Sequence, residues 1–593
     1  MIRARTFVLS AGLAALACAA YAADAGAASL LPADSASAFR LSERAGEFAR
    51  LSTVTVTGQP FSSALRIEVT KKPQRANVVQ LSAPVEAAIA GGDVLMISFW
   101  MRSATPGEAT LDAGLIGTAG PFRRPALNMP AVAGTEWKKV TFPFALQRPI
   151  NKGESQVYFN LGMREQTVEI GGIELLNYGT SKRVADLPFT RLTYGGQEPG
   201  AAWRRAAEER IEKIRKGDLT VVVKDRSGKP VPGASVSVRM RKHAFLFGTA
   251  VNVPALMGNR LNDSDREKYK QHILELFNAA VTENALKWPQ WSNEASRPAA
   301  MAAVDWLREN GLAVRGHCLV WPSWRNANVK AAVDAKNDPK ALAKVILDRV
   351  TDATTTFRGR LIDWDVINEP FTNHDFMDIL GRQVMVDWFK AARAGDPNVK
   401  LYINDFSILS DDDKAHQDHY ADTIKFLIDS GAPLDGIGLQ SHFPARVTPM
   451  DEVLRRLDRF AAFGRELAIT EFDIETADEA TQADYTRDFM IATFAHPSVK
   501  AFLMWGFWEG AHWKPSGAMI RRDWSVKPNG EVYKDLVFKR WWTNTDGKTG
   551  TQGTFATRGF LGDYEIEVKA GGRTKTVRAS LPREGANVEC VLD

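Results

Sequence analysis

Apolar and polar residues alternate with a period of two through roughly residues 24 to 180, in runs such as D-V-L-M-I-S-F-W-M-R-S from Asp93, W-K-K-V-T-F-P-F from Trp137 and V-Y-F-N-L-G-M from Val157. Gly, Pro and Asn turns separate these runs and no long helical pattern intervenes, which predicts a β-sandwich. Residues 181–216 read as a linker, and its charged stretch from Ala202 to Lys216 has the composition of a solvated helix. Two strands around a Gly/Pro turn follow in D-L-T-V-V-V-K-D-R-S-G-K-P-V-P-G-A-S-V-S-V from Asp218. The stretch G-T-F-A-T-R-G-F-L-G-D-Y-E-I-E-V from Gly553 has the same all-β character. Residues 217–242 and 546–593 are therefore expected to form one small sandwich, split by everything between them.

From 243 to 545 the pattern changes to strand, then helix, repeated. Candidate strands are F-L-F-G-T-A-V-N at Phe245, A-A-V-T-E-N at Ala279, A-V-R-G-H-C-L-V-W at Ala313 and I-D-W-D-V-I-N-E at Ile362. Four more follow at Lys400, Gly436, Leu467 and Ala501. Eight strands alternating with helices are what a (β/α)8 barrel requires, so the expected class is α/β, a TIM barrel with accessory all-β domains. A doubly wound open sheet would also alternate, but it would usually open on a glycine-rich phosphate turn, and Phe247-Gly248-Thr249 is not one.

Barrel active sites gather at the C-terminal ends of the strands. Polar residues stand there in nearly every case: Glu283, Asn284, His317, Asn368, Glu369, Asn404, Gln440, His442 and Glu471. Two of them, Glu369 in W-D-V-I-N-E-P and Glu471 in A-I-T-E-F-D-I, put carboxylates where apolar, β-branched runs hand over to loops. A carboxyl pair of this kind can protonate a leaving glycosidic oxygen and meet the developing oxocarbenium charge, and neither job requires a metal or a cofactor. Either Glu alone would more readily be a surface or helix-start acid; their shared company changes that reading.

The chain's 593 residues, 45% of them apolar, exceed one core and suggest two to four domains. A net charge of +5 is mild over so large a surface and argues against a dedicated nucleic-acid binder. Sixteen Trp is a high count, suited to stacking on sugar rings, with more than half of them expected to be core or hydrophobic-rim residues. Residues 1–22 read as a secretory leader: Arg3 and Arg5 precede the apolar Phe7 to Ala20, and Ala20-Tyr21-Ala22 fits a small-x-small cleavage site. The mature protein is then expected to be exported, periplasmic or secreted, and a monomer. Cys18 offers a lipoprotein alternative, weakened by Ala15 standing where Leu would be expected. No later stretch spans a bilayer. Cys318 and Cys590, far apart in sequence, give no disulfide framework.

Five phrases in order, F-N-A-A-V-T-E-N-A-L-K-W, R-G-H-C-L-V-W, W-D-V-I-N-E-P, G-I-G-L-Q-S-H and I-T-E-F-D-I, resemble the catalytic domain of glycoside hydrolase family 10 endo-β-1,4-xylanases. The resemblance covers about half the chain. It implies a retaining enzyme on xylan or xylo-oligosaccharides, with Glu471 as nucleophile and Glu369 as acid/base, the carboxyls roughly 5 to 5.5 Å apart. It further implies that Asn368 meets a sugar 2-hydroxyl and that His442 and Asp473 orient the nucleophile. Glu283, Asn284, Lys287, His317, Asn404 and Gln440 would hold sugar hydroxyls, with Trp321, Trp505 and Trp513 as aromatic walls. A cis peptide after His317 is common in the family. This chain departs from the family pattern at Pro322-Ser323-Trp324, at Phe406 and at Glu509. Outside the barrel, I-G-G-I-E-L-L-N-Y-G resembles the last strand of jelly-roll carbohydrate-binding modules, and the split sandwich resembles the carboxypeptidase-regulatory type. Glycan binding and a spacer role both stay open for residues 24–180. A preference for short oligosaccharides or another β-glycan, and a non-catalytic glycan-binding role, are the alternatives for the whole.

Overall fold

The computed structural model describes residues 27–32, 34–119 and 125–592. The leader read at residues 1–22, with Cys18, lies outside the described residues. The chain divides into two compact units, Met1–Thr190 and Arg191–Asp593.

The first unit is an antiparallel sandwich. One sheet is ordered Ala49–Thr55, Ser63–Val69, Gln166–Asn177, Val94–Ser103, Lys138–Ala145, and the other Arg40–Leu41, Gln80–Val85, Ser155–Asn160, Ala109–Gly117, Pro125–Ala133. Alternation does the sorting: Ile97, Phe99 and Met101 are fully buried while their neighbours Trp100 and Arg102 turn to the other face, partly exposed. The rings of Phe99 and Phe159, one from each sheet, meet edge-on at 4.9 Å.

In the second unit eight parallel strands close into a barrel: β1 Leu246–Val251, β2 Ala279–Thr282, β3 Ala313–Val320, β4 Asp363–Asn368, β5 Lys400–Asp405, β6 Gly436–Leu439, β7 Glu466–Glu475 and β8 Val499–Met504. Pairing of β8 with both β7 and β1 closes the ring. Every strand lies within two residues of the start expected from its apolar run. Inside the barrel the buried Arg315 guanidinium pairs with Asp363 at 2.8 Å and Asp365 at 2.9 Å. An ion triad in so closed a space holds only because each partner neutralises another.

Strand Lys216–Asp225 pairs antiparallel with Thr554–Phe560 and parallel with Ala586–Leu592, and Ser235–His243 pairs with Asn544–Lys548 and Gly562–Ala570. These strands share one apolar core with the barrel, Val221, Val236 and Ile566 belonging to the same buried cluster as Phe247, Phe494 and Trp541. The helix Ala202–Ile214 differs from its sequence expectation. Ala207 and Ile211 are buried, and Arg204 pairs with the fully buried Asp488 at 2.7 Å, so the helix is docked onto the barrel unit and is no free linker. Among the described residues no helix is long and apolar enough to cross a membrane, and no group of three His, Cys, Asp or Glu could hold a metal ion. Cys318 and Cys590 are both buried.

Candidate active site

Glu369 is the first residue beyond β4, and its φ of 56° lies in the left-handed region that non-glycine residues rarely adopt. Its amide donates to the Asn404 carbonyl at 2.8 Å and its carbonyl accepts from Asn373 at 3.0 Å, which pins this turn. Four side chains point donors at its carboxylate: Gln440 at 3.0 Å and Asn368 at 3.2 Å on Oε1, Trp321 at 3.1 Å and Asn373 at 3.3 Å on Oε2. Burial nevertheless pushes Glu369 up to about 7; the Gln440 bond and Lys287 oppose the rise, while Asp405 and Glu471 add to it.

Glu471, on β7, is held in the opposite sense. Burial alone would raise it, but His442 Nε2 at 3.1 Å, with His317 and Lys287 nearby, brings it below the usual carboxylate range. His442 in turn sits 3.1 Å from Asp473, and the two carboxylates overcome burial to raise it to about 9. His442–Pro444 forms a short strand paired beside β7, with His442 opposite Asp473, while strand alternation turns Glu471 and Asp473 to one face.

Two amides join the carboxylates. Asn404 Nδ2 donates to Glu471 Oε1 at 2.8 Å and to Asn368 Oδ1 at 3.0 Å, and Asn368 Nδ2 reaches Glu369. Asn404 was expected from the sequence to bind sugar. It is fully buried, with Oδ1 accepting from Thr470 at 2.7 Å, so its polar atoms orient the carboxylates and are not offered to a ligand. The space for it comes from Gly438, where a Cβ would stand 2.3 Å from Asn404 Oδ1.

The remaining expected residues surround this pair. His317 bonds Asp365 at 2.9 Å and lies 4.0 Å from Glu471, and the His317–Cys318 peptide is cis. Lys287 donates to the exposed Asn284 at 2.8 Å and stands 4.9 Å over the Trp321 ring, while Glu283 accepts from Asn252 at 3.0 Å. Trp505 is nearly buried between the rings of His317 and His442. Trp513 is 42% exposed, with Nε1 on Asp473 at 2.6 Å, so its face is free to stack. Of the departures, Trp324 packs edge-on against Phe376, and Glu509 turns to accept the Arg522 amide at 3.1 Å.

Thr470, Asn373, Asp365 and Arg315 went unread in the sequence. Asp363 and Asp365 did carry a signal, since charges at alternate positions of an apolar strand must find a cation inside the barrel. Thr470 and Asn373 carried none, each being an ordinary polar residue beside a motif.

The model of glycosyl hydrolase family 10 matches residues 237–532. Endo-1,4-beta-xylanase 3 of Hypocrea jecorina is 30% identical over 311 residues, spanning 50% of this chain and 83% of that protein. The chain belongs to glycosyl hydrolase family 10. Among longer relatives it is 34% identical over 385 residues to anti-sigma-I factor RsgI6 of Acetivibrio thermocellus and 29% identical over 375 residues to endo-1,4-beta-xylanase 1 of Arabidopsis thaliana. Each match takes in 63% of this chain but only 48% and 38% of those two proteins. A solved structure of xylanase 10B from Thermotoga petrophila in complex with xylobiose has a TM-score of 0.45 at 27% identity, covering 50% of this chain and 95% of that one. Both carboxylates of this family 10 barrel, and the histidine and amides that hold them, lie within the residues matched by the family model.

Proposed function

We propose that the chain is a retaining endo-1,4-β-xylanase. The observation that carries this reading is a pair of carboxyls, Glu369 and Glu471, joined through Asn368 and Asn404 with His442 on Glu471 alone; in keeping with it, burial pushes Glu369 up to about 7 while His442 helps hold Glu471 below the ordinary range. Family membership and the xylanase relatives support the choice of substrate.

The chemistry follows from those settings. Glu369 gives its proton to the glycosidic oxygen as that bond breaks, while the Glu471 carboxylate bonds to the anomeric carbon. Esterification removes the Glu471 charge, one of the groups that raise Glu369, so Glu369 becomes the stronger acid and its carboxylate is left to take a proton from water. Water then attacks the anomeric carbon, Glu471 leaves as carboxylate, and a second inversion restores the β-configuration.

Xylan and cellulose are offered to the parent and to Glu471→Ala, with the product anomer followed by NMR. Release of β-anomer from xylan, abolished by the substitution, is expected. An initial α-anomer overturns the two roles, and turnover confined to another β-glycan overturns the substrate. Export, supported by the leader-like residues 1–22, and a monomeric state are part of the same proposal. The mature N-terminus and the solution mass check it.

The N-terminal sandwich is read as a polymer-holding part. Its supporting feature is a sheet face where the partly exposed rings of Phe61, Trp100 and Trp137 lie together, Phe61 and Trp137 5.1 Å apart and Arg102 4.9 Å over Trp137. Full-length Trp100→Ala/Trp137→Ala is expected to lose retention on insoluble xylan while still cutting soluble oligosaccharides; unchanged retention removes this role.

A further inference from the structure

A buried Asp–His pair lies against the Glu369 turn and has no part in the steps above. Asp405, the last residue of β5, is fully buried, and its Oδ1 is 3.0 Å from Nε2 of His416, which is 1% exposed. His416 stands in the first turn of helix Lys414–Asp429, fixed there by Asp413, which accepts its amide at 3.0 Å. The imidazole stacks on Phe371 at 4.3 Å and meets the edge of Phe406 at 4.7 Å. The carboxylate of Asp405 accepts the Phe406 amide at 2.9 Å and also faces the amide of Phe371. Phe371 is two residues beyond Glu369. Asp405 thus fixes His416, and His416 holds the turn through the ring of Phe371.

That grip has a mechanical and an electrostatic consequence. A left-handed Glu has a cost of order 1 kcal/mol or more and persists only where its surroundings over-determine it; the clamp on Phe371 is one such constraint. A carboxylate that accepts the Phe406 amide beside an imidazole is arranged as an acceptor, which favours its ionised form, although burial pulls the other way and leaves Asp405 above its usual range. Its charge faces Glu369, as do Glu471 from β7 and Lys287 from the loop after β2. On the other side of the site, Asp363 and Asp365 of β4 are engaged by Arg315 and His317. Asp405 itself is faced by His416 and by Tyr420, both on the helix that follows β5.

We propose that Asp405, clamped to His416, is a positioning residue of the reaction: it holds the turn that aims Glu369 and supplies the negative charge that keeps a proton on Glu369 until the leaving oxygen takes it. This rests on the xylanase reading above. The idea concerns proton donation, so it separates substrates by how much their leaving group needs a proton.

The test compares the full-length parent, Asp405→Asn and Asp405→Ser on xylotetraose and on a dinitrophenyl β-xylobioside, whose leaving group departs without a proton. With xylotetraose, the basic limb of kcat/KM is expected to move to lower pH by about one unit in both variants, and kcat/KM at pH 7 to fall about five-fold. With the dinitrophenyl substrate, kcat/KM, which reports only the steps up to departure of the leaving group, should stay within about two-fold of the parent in both variants. Serine keeps an acceptor for the Phe406 amide without the charge, so the same shift in both variants assigns the effect to charge. Equal losses on both substrates with an unmoved limb overturn the proposal in favour of a merely structural role. A parent that cuts neither substrate overturns the xylanase reading itself.

Discussion

The hydroxyl of Thr470 donates to Oδ1 of Asn404 across 2.7 Å, and this bond decides which end of the amide faces the nucleophile. With Oδ1 engaged, Nδ2 is the end that reaches Glu471. Thr470→Val keeps the shape but leaves a buried carbonyl oxygen unpaired, at a cost of about 1–3 kcal/mol. A lower thermal midpoint and a roughly 10-fold drop in kcat/KM on xylan are expected, with Thr470→Ser close to the parent. Parent-like kinetics in the valine variant would mean that something else orients the amide.

Gln440 donates to Glu369 and favours its ionised form, so Gln440→Ala should let Glu369 keep its proton to higher pH. The basic limb of kcat/KM, expected near pH 7 in the parent, then moves upward. This is the opposite direction from the Asp405 variants, and a downward move in Gln440→Ala would contradict the electrostatic account of the site.

His442 is raised to about 9 in the folded chain, against about 6.5 unfolded. Stability from this group is therefore complete below about pH 6.5 and is lost as pH rises through about 9. Glu471 and Asp473 are lowered, so their contribution is present above their unfolded values and is lost as pH falls through the depressed ones. His442→Asn should consequently destabilise the protein more at pH 6 than at pH 9.5, as read from urea midpoints. An equal loss at both values would assign the effect to packing.

Two tryptophans flank His442 and should behave differently. Trp505 is 6% exposed and belongs to the barrel interior, so Trp505→Ala should cost about 3–5 kcal/mol and reduce soluble yield. Trp513 presents an open face, so Trp513→Ala should raise KM about 10-fold through lost stacking, with the fold intact. Circular dichroism and steady-state kinetics on both variants separate the two; an unfolded Trp513→Ala would make that residue a packing element.

The barrel was legible because each parallel strand is an apolar run that ends in polar residues, and the two decisive acids stand at two of those ends. What an exit residue touches was less legible. Asn404 looks the same in sequence whether it meets a sugar or, as found, is enclosed by Thr470, Asn368 and Glu471. The left-handed backbone of Glu369 could not be anticipated, because Glu has no preference for that region and the constraints arrive from β5 and the loop beyond β4. Helix Ala202–Ile214 misled for a related reason. Its charges suggested water on every side, yet Arg204 finds its buried partner, Asp488, 284 positions away.

Strand Lys216–Asp225 acquires one neighbour from Thr554–Phe560 and the other from Ala586–Leu592. A ribosome delivers the chain from its N-terminus, so Leu219, Val221 and Val223 must wait through synthesis of the entire barrel before Val588 and Cys590 emerge to cover their edge. Residues made late thus close a loop begun some hundreds of residues earlier, and a chain stopped short of Ala586 would expose a sheet edge of the kind that recruits other chains. Synthesis through Leu592 is built into the architecture as a checkpoint: truncation after Gly585 should yield aggregating protein even though every residue of the catalytic centre is present.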